Sequence, residues 1–481
     1  MLDSAAASPA FLPVHRLSEE VTAGRLSPVD IVEDCLARTE RLEPLLRAYV
    51  SVDWAQARAA AEAAEKAIRS GCRIGPLHGI PIAVKDLVEI EGKVAQGGSA
   101  AWKDRVAQRT ATLYRRLIGA GMIVLGKTHT VEFAYGAWGT NQHLGTPWNP
   151  WDGETHRAPG GSSSGSAVAV AARLAPWAIG TDTGGSVRIP AAWNGVTGLK
   201  TTIGRISAYG VLPLSPTLDT PGPITRSVED AAMLLCALQG ADPKDPRTLG
   251  HADSDPWTSL RRGVAGLRLA RLPDRERAGV DAEVLAAYDR SLGQLASLGA
   301  EIVDLELPGL LADLAVANGR IISAEAYALL ADLVDDPGQS LDEAVRTRVR
   351  AGAAISSRAY LSDLAARERL KAAVADAIAD IDAILTPTVE TAAPALQDID
   401  QAASPTRFTR WVNFLDLCAL ALPNGFTRAG LPTSLQITCR PYDEALALRI
   451  GWACEAATDW QTRVPPMASR SEVRADAAQD A

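Results

Sequence analysis

Two serines that follow glycine pairs are the residues of this sequence best suited to nucleophilic chemistry. Ser162 follows the letters PGG, and Ser186 follows the letters TGG. Glycines let a backbone approach a substrate closely, and the N–H groups of such a loop can stabilise a developing oxyanion. A serine hydroxyl in this setting is suited to acyl transfer, provided that a base removes its proton.

A lysine far upstream is the candidate base. The segment from Ser162 to Ser186 contains no histidine, whereas Lys85 ends the apolar run IPIAV at 80–84. Burial lowers the pKa of a lysine from about 10.4, by up to several units. Lys85 is therefore either a cation whose amine reaches solvent or a desolvated, neutral amine that could serve as a base.

Each candidate lies beside a predicted secondary-structure element. Lys85 ends a strand at 80–84, Ser162 precedes a helix at 167–174, and Ser186 follows a strand at 178–180. From residue 75 onward the two patterns alternate, with further strands at 122–125, 267–271, 301–305, 383–385 and 434–438 and helices at 111–118, 228–238, 284–298 and 443–457. Such alternation predicts an α/β fold whose strands are covered by helices on both faces.

Three regions of the chain carry no catalytic pattern. The first 70 residues are assigned to packing or to contacts within a homodimer. Residues 309–380 are rich in Ala, Leu and Arg and predict mostly helices. Residues 466–481 are polar and rich in Ala, which predicts a disordered tail.

Composition excludes several classes of function. The formal net charge of −9 argues against a general binder of nucleic acid or of membrane surfaces. The six cysteines form no CxxC pair, so neither a metal site nor a disulfide framework is predicted. No stretch reaches about 18 uninterrupted apolar residues, and the N-terminal residues lack a signal-peptide pattern. The sequence therefore predicts a soluble, cytoplasmic protein.

Several segments together resemble the amidase signature family. They are GIPIAVKD at 79–86, GKTHTVEFAYG at 126–136, GGSSSGSA at 160–167, GTDTGGSVRIPA at 180–191 and GLPTSLQI at 430–437. The resemblance covers roughly residues 10 to 460. It implies a single large α/β/α domain over residues 10–465, with a mixed, twisted central sheet. It also implies that the variable region 309–380 shapes the substrate pocket.

The resemblance assigns roles to individual residues. It implies a Ser–cis-Ser–Lys triad in which Ser186 is the nucleophile, Ser162 the bridging serine after a cis peptide bond, and Lys85 the base. The backbone N–H groups of Thr183, Gly184, Gly185 and Ser186 match the family's oxyanion hole. No metal and no cofactor are expected in this chemistry.

Two charged residues beside the nucleophile are expected to have a structural role. Asp182 and Arg188 flank the TGGS loop. We expect them to brace that loop and not to react.

Aromatic residues near the motifs suggest the substrate. Tyr135 and Trp138 follow the segment that borders the acyl pocket in the family, and Trp193 follows the nucleophile motif. Rings favour apolar or aryl groups, and no basic cluster lies near the motifs in the sequence. The expected substrates are small anilide-type amides first, then carbamates (urethanes), with esters also accepted and glutamine last. No nucleic acid or membrane partner is expected.

Two alternative functions remain open at this point. The same signature occurs in the amidase subunit of tRNA-dependent amidotransferases, although segments 128–136 and 410–426 depart from the usual subunit pattern. The letters GSSSG at 161–165 also fit the nucleophile elbow of Ser-His-Asp hydrolases, with Ser163 at the centre. Asp219 or Asp230 and His251 would then complete that triad, but no strand is predicted before Ser163.

Overall fold

The computed structural model describes residues 8–469 of the chain. Within them, the strands are β1 (Tyr49–Val52), β2 (Pro81–Lys85), β3 (Ile123–Thr128), β4 (Ala178–Asp182), β5 (Thr197–Lys200), β6 (Thr220–Thr225), β7 (Arg268–Arg271), β8 (Glu301–Asp304), β9 (Ala383–Pro387), β10 (Cys418–Phe426) and β11 (Pro432–Cys439). The α-helices are α1 (Val14–Thr22), α2 (Pro28–Leu46), α3 (Trp54–Arg69), α4 (Thr112–Gly119), α5 (Ser164–Ala171), α6 (Arg188–Asn194), α7 (Val228–Leu238), α8 (Asp274–Arg277), α9 (Ala282–Ser297), α10 (Leu311–Val334), α11 (Glu343–Arg350), α12 (Ser357–Ala377), α13 (Arg407–Phe414), α14 (Glu444–Ala456) and α15 (Pro466–Ser469).

These eleven strands join one sheet. Their order is β1-β3-β2-β4-β6-β5-β10-β11-β9-β7-β8. Strand β2 runs parallel to β3 and β4, and β7 runs parallel to β8 and β9. The remaining neighbours are antiparallel. The sheet is therefore mixed, as the resemblance implied.

Alternate side chains of the central strands enter two apolar clusters, one on each face of the sheet. In β2, Ile82 and Val84 join a cluster with residues of α7 and α14, whereas Ala83 joins a cluster with residues of α2, α3 and α5. In β4, Ile179 joins the first of these clusters and Ala178 joins the second. Since successive strand residues point to opposite faces, helices cover both sides. The predicted α/β/α fold is confirmed.

The parallel pairing of β2 with β4 determines where the candidate residues meet. Lys85 is the last residue of β2 and Asp182 is the last residue of β4, and the two strands are direct neighbours. The carboxyl ends of parallel strands open at the same edge of a sheet, where ligand sites form. Helix α5 also begins at this edge. The Ser163 side chain just before it donates to the carbonyl oxygen of Thr181 in β4.

Three central strands are absent from the sequence-based prediction. They are β5, β6 and β10, and two of them contain prolines. Strand β6 reads TPGPIT, and β10 contains Pro423 followed by a register shift before Gly425. Proline lacks the N–H that a central strand normally donates, so its presence argues against a strand when only the sequence is read.

The two regional predictions have different outcomes. The region 309–380 is mostly helical as predicted, since it contains α10, α11 and α12. The predicted tail is wrong at its beginning, where Pro466–Ser469 form α15. Met467 and Ala468 are buried against the cluster of α2, α3 and α5, and this apolar burial orders the segment. Residues 470–481 lie outside the described residues.

The described residues contain no disulfide, no candidate metal cluster and no candidate membrane-spanning helix. All six cysteines are free thiols, and four are buried, while Cys72 is exposed. Across residues 8–469, no three His, Cys, Asp or Glu side chains are grouped so as to hold a metal ion. In the same residues, no helix combines the length and the apolar character needed to cross a membrane.

Helix α5 is pressed so closely onto the sheet that its second residue has no space for a side chain. A Cβ on Gly165 would lie 2.1 Å from the Ala48 carbonyl oxygen and 2.5 Å from the His129 backbone nitrogen. Backbone atoms cannot move aside as the tip of a side chain can. We expect Gly165→Ala to lower the free energy of unfolding by about 1–3 kcal/mol, measured by urea denaturation.

Gly293→Ala is the matched control for this prediction. Gly293 lies inside α9, and a Cβ placed there meets no atom within 4 Å. Alanine has a higher helix propensity than glycine, so this variant should gain up to about 1 kcal/mol. If Gly165→Ala were as stable as Gly293→Ala, the close packing of α5 would be wrong.

Candidate active site

The side chain of Lys85 ends in a group of three hydroxyls. It is fully buried, and its Nζ lies 2.7 Å from Ser162 Oγ, 2.8 Å from Thr181 Oγ1 and 3.0 Å from Ser163 Oγ. No carboxylate of the described chain forms a salt bridge with this amine. Burial lowers the pKa of Lys85 to about 7, although the charges of two buried aspartates oppose the shift.

The hydrogen bonds around Nζ fit a charged amine that donates to all three hydroxyls, and they equally fit a neutral amine. A charged lysine has three donors and no acceptor, whereas a neutral one has two donors and one lone pair. Ser163 Oγ donates its own proton to the Thr181 carbonyl oxygen at 3.2 Å, so it must accept from Lys85. A neutral amine that donates to Ser163 and Thr181 keeps its lone pair for the hydroxyl of Ser162.

The loop before α5 joins the two candidate serines through the backbone. The peptide bond between Gly161 and Ser162 is cis, as the resemblance implied. The Ser162 carbonyl oxygen accepts from the Val131 N–H at 3.2 Å, and the Ser163 N–H donates to the Ser186 carbonyl oxygen at 3.2 Å. These bonds fix the position of one serine loop relative to the other.

Asp182 and Arg188 form a buried ion pair beside the nucleophile loop. Both side chains are inaccessible to solvent, and the guanidinium donates to Oδ1 at 2.9 Å and to Oδ2 at 3.0 Å. Burial raises the pKa of Asp182, but the charge and hydrogen bonds of Arg188, the charge of Lys200 and the hydrogen bond from Asn413 together hold it well below its usual range. Arg188 also donates to Gln436 Oε1 at 2.8 Å and to Asn413 Oδ1 at 2.6 Å. This is the arrangement expected of a loop brace.

The expected oxyanion hole needs correction at one of its four members. The N–H of Gly185 donates to Asp182 Oδ1 at 2.7 Å, so it is already used. In the part of the chain that the structure describes, the N–H groups of Thr183, Gly184 and Ser186 have no acceptor. These three amides are therefore unoccupied by protein acceptors.

Polar residues outside the motifs hold this loop from two sides. Thr409 of α13 donates from Oγ1 to the Gly184 carbonyl oxygen at 2.7 Å. Thr183 donates from Oγ1 to Asp219 Oδ1 at 2.5 Å, and burial raises the pKa of Asp219 to about 6. Sequence reasoning missed Thr409, which lies more than 200 residues after the loop and within no catalytic pattern.

The Ser-His-Asp alternative is not assembled. Ser163 is fully buried, and its Oγ lies 3.0 Å from Lys85 Nζ. His251 lies elsewhere and forms a hydrogen bond of 2.8 Å with the hydroxyl of Tyr442. No histidine of the described residues therefore serves Ser163 as a base.

A large cavity opens onto Ser186. Its volume is about 940 Å³, and its walls come from the segment around Tyr135 and from α10, α11 and α13. Ser186 is 9% exposed, whereas Lys85 and Ser162 are completely buried. Of the three candidate residues, Ser186 is therefore the one that a substrate in the cavity can reach.

The predicted aromatic contacts are correct in placement for two residues and wrong for the third. Tyr135 and Trp138 line the cavity. Trp193 does not, because its ring is fully buried and stacks behind Trp138 with ring centroids 5.6 Å apart. Its Nε1 donates to the Thr391 carbonyl oxygen at 2.9 Å, which satisfies the indole within the protein.

The cavity is also less apolar than the sequence indicated. Three arginines line it, namely Arg320, Arg348 and Arg410. They belong to α10, α11 and α13, far along the chain from the catalytic motifs. Reading the motifs alone could not place them there, so the expectation of a pocket without basic groups is wrong.

Comparison with known proteins identifies the family. The family model described as Amidase matches residues 30–448. This chain belongs to the amidase signature family. A relative 36% identical over 480 residues is a glutamyl-tRNA(Gln) amidotransferase subunit from Halorhodospira halophila, with 94% of this chain and 98% of the relative covered.

Other members of the family act on different compounds. The 2-amino-5-chloromuconic acid deaminase of Comamonas testosteroni is 39% identical over 370 residues, which cover 77% of this chain and 78% of the relative. The native peptide amidase of Stenotrophomonas maltophilia superposes with a TM-score of 0.83 at 31% identity, covering 94% of this chain and 98% of that one. The family thus establishes an enzyme that acts on C–N bonds.

The Asp182–Arg188 pair should be essential for stability. In Asp182→Asn, the guanidinium of Arg188 would remain buried without a countercharge, which costs about 3–5 kcal/mol in free energy of unfolding. The N–H of Gly185 would also lose its charged acceptor, so activity should fall together with stability. Chemical denaturation and a rate assay on the same preparation measure both effects.

A second aspartate supplies the control for this variant. Asp152 pairs with Arg157 at 2.7 Å near the surface, where both side chains keep about a fifth of their exposure. Asp152→Asn should therefore cost no more than about 1 kcal/mol. Equal losses in the two variants would show that burial of the Asp182 pair has no special importance.

Proposed function

We propose that this chain is a cofactor-independent serine hydrolase of C–N bonds in small linear amides. In this proposal Ser186 forms the acyl-enzyme, and Ser162 and Lys85 relay protons. The observation that carries it is the buried Nζ of Lys85, 2.7 Å from Ser162 Oγ and without a carboxylate partner in the described chain. That environment suits a neutral base connected to a nucleophile at the cavity floor.

The first half of the reaction forms a C–O bond and breaks the C–N bond. Ser186 Oγ attacks the amide carbonyl carbon while its proton passes to Ser162, whose own proton passes to the lone pair of Lys85. The carbonyl oxygen becomes an oxyanion, which the free N–H groups of Thr183, Gly184 and Ser186 can stabilise. Lys85 then returns a proton through Ser162 to the leaving nitrogen, and the amine departs.

The second half uses water in the same way. Water gives a proton to the relay and attacks the acyl-enzyme, and the relay returns that proton to Ser186 Oγ as the acid leaves. A carbamate or an ester presents a carbonyl to the same nucleophile, so these substrates need no further residue. The proposal places Tyr135 and Trp138 against the substrate and places the enzyme in the cytoplasm.

The second candidate function is the amidase subunit of a tRNA-dependent amidotransferase. The comparisons favour it over the stand-alone hydrolase, since the relative that covers nearly the whole chain is named as such a subunit. The same triad would then release ammonia from glutamine inside a complex with partner subunits. The departures at 128–136 and 410–426 from the usual subunit pattern support the stand-alone enzyme instead.

Replacing the nucleophile tests the proposed reaction directly. The purified chain should hydrolyse at least one member of a panel made of a nitroanilide, a fatty amide, an aryl carbamate and glutamine. Ser186→Ala should lower kcat by about 10³-fold or more, because no acyl-enzyme can form. Ser297→Ala is the control, since that exposed hydroxyl contacts only the Gln294 carbonyl oxygen. An unreactive wild-type chain that uses glutamine only with partner subunits would establish the second candidate.

The pH dependence tests the protonation state of Lys85. Because burial lowers the pKa of Lys85 to about 7, the amine is charged and inactive below that pH and neutral above it. We expect kcat/KM to rise about tenfold per pH unit below 7 and to become constant above it. Lys85→Arg should be as inactive as Lys85→Ala, because a guanidinium stays protonated.

A neighbouring carboxylate allows the titrating group to be identified. The charge of Asp219 raises the pKa of Lys85, so Asp219→Asn should move the rise in kcat/KM to lower pH. If the rise disappeared in that variant, Asp219 would be the group that titrates. Near-normal activity of Lys85→Arg would equally contradict a neutral lysine base.

A further inference from the structure

We propose that Arg410 binds a carboxylate of the substrate, so that the enzyme prefers amides that carry a negative charge. This inference rests on the proposed amide hydrolysis at Ser186 and specifies its substrate class. Arg410 lies on α13 and lines the same cavity as the nucleophile. Arg410 lies outside the catalytic motifs, so the proposal rests on the position of its side chain in the cavity.

The guanidinium of Arg410 has no partner in the described chain. Its Nε is sealed from solvent and makes no hydrogen bond, and no carboxylate among residues 8–469 forms a salt bridge with the side chain. The charged neighbour that affects it is another arginine, Arg348, and burial lowers the pKa of Arg410. Arg410 is half-buried, and a charge withdrawn from water is costly unless it is paired. A ligand anion would supply the missing partner.

The position of Arg410 suits contact with a bound substrate. The Arg410 side chain passes close to two glycines. A Cβ added to Gly184 would lie 3.0 Å from Arg410 Cγ, and a Cβ added to Gly319 would lie 3.1 Å from Arg410 Nη1. The two glycines thus leave room for the side chain between the nucleophile loop and α10. A substrate whose carbonyl is held at the Gly184 and Ser186 amides would have its other end near this guanidinium.

A second unpaired polar group lies at the same place. Asn318 is fully buried, and neither its Oδ1 nor its Nδ2 makes a hydrogen bond within the described residues. Its Oδ1 would lie 3.3 Å from a Cβ placed on Gly184, so both side chains adjoin the same glycine. Asn318 does not line the cavity, so of these two unsatisfied side chains Arg410 is the one that a ligand in the cavity can reach.

The other arginines of the cavity are already engaged. Arg320 pairs with Asp363, which neutralises its charge. Arg348 donates to the Tyr135 carbonyl oxygen at 2.7 Å and to Gln401 Oε1 at 2.7 Å. Arg410 is therefore the member of the three that keeps its donors for a ligand. A guanidinium can bind a carboxylate through two parallel hydrogen bonds, which a neutral group does not match.

A pair of substrates of equal shape tests the proposal. Glutaramate carries a carboxylate and a primary amide, and 4-nitrobutanamide replaces that carboxylate by a neutral nitro group. Ammonia release gives kcat/KM for both. The wild-type enzyme should prefer glutaramate by about tenfold or more, which corresponds to about 1.4 kcal/mol in transition-state binding. Arg410→Gln should reduce the ratio of the two kcat/KM values to less than about threefold.

Two further variants show whether the effect is specific. Arg410→Lys keeps the charge but not the paired donors, so it should retain part of the preference. Arg320→Gln removes a cavity arginine whose charge is already paired, so the ratio for the two substrates should stay as in the wild type. An equal loss in Arg320→Gln and Arg410→Gln would indicate a general field in the cavity and overturn the assignment to Arg410.

A binding measurement separates this inference from the proposed function. Glutarate is titrated calorimetrically into Ser186→Ala protein, with and without Arg410→Gln. Binding that is lost in the double variant supports the inference even if no amide is hydrolysed, in which case the proposed function alone fails. Hydrolysis of both substrates without preference, or glutarate binding that is unchanged by Arg410→Gln, overturns the inference and leaves the proposed function intact.

Discussion

The buried pair of Asp182 and Arg188 is the interaction on which the site depends. One carboxylate accepts hydrogen bonds from the nucleophile loop, while the guanidinium that neutralises it reaches β11 and α13. Elements that are distant in sequence are thereby fixed to the end of β4. A buried ion pair contributes little net stability compared with apolar packing, but it is strongly destabilising when broken. Its value here is the fixed position of the loop.

The same pair influences the chemistry of Lys85. An ionised carboxylate near a lysine favours the charged ammonium, which could not accept a proton. Asp182 acts on Lys85 in this direction, but burial of the amine outweighs that effect and lowers its pKa. Hydroxyl groups, and not carboxylates, surround the amine.

The sequence predicted those parts that are encoded locally. The helix at 228–238 has the predicted bounds because Ser227 caps it and its apolar residues recur with helical spacing. Lys85 could be found because it ends a continuous apolar strand. Strand β6 could not, since its two prolines contradict the ordinary pattern of a central strand.

Residues that only the fold brings together could not be predicted from the sequence either. Thr409, Asn413 and Gln436 support the loop from more than 200 residues away in the chain, and Arg410 approaches Gly184 from the same helix as Thr409. Trp193 was misplaced for the opposite reason, because closeness in sequence to the nucleophile motif does not determine which way a ring points.

The neighbouring positions of β2 and β4 have a consequence for how such an enzyme can diversify. Adjacent strands are held about 4.8 Å apart by their backbone hydrogen bonds, so the reacting groups inherit their separation from the sheet. Besides α13, which also holds the nucleophile loop through Thr409, the walls of the cavity come from two separate helices, α10 and α11. Insertions or exchanges in those helices can therefore alter which compound is accepted without disturbing the distances between the reacting groups. Such a division between a floor fixed by the sheet and walls formed by separate helices would give one scaffold access to many nitrogen-containing compounds.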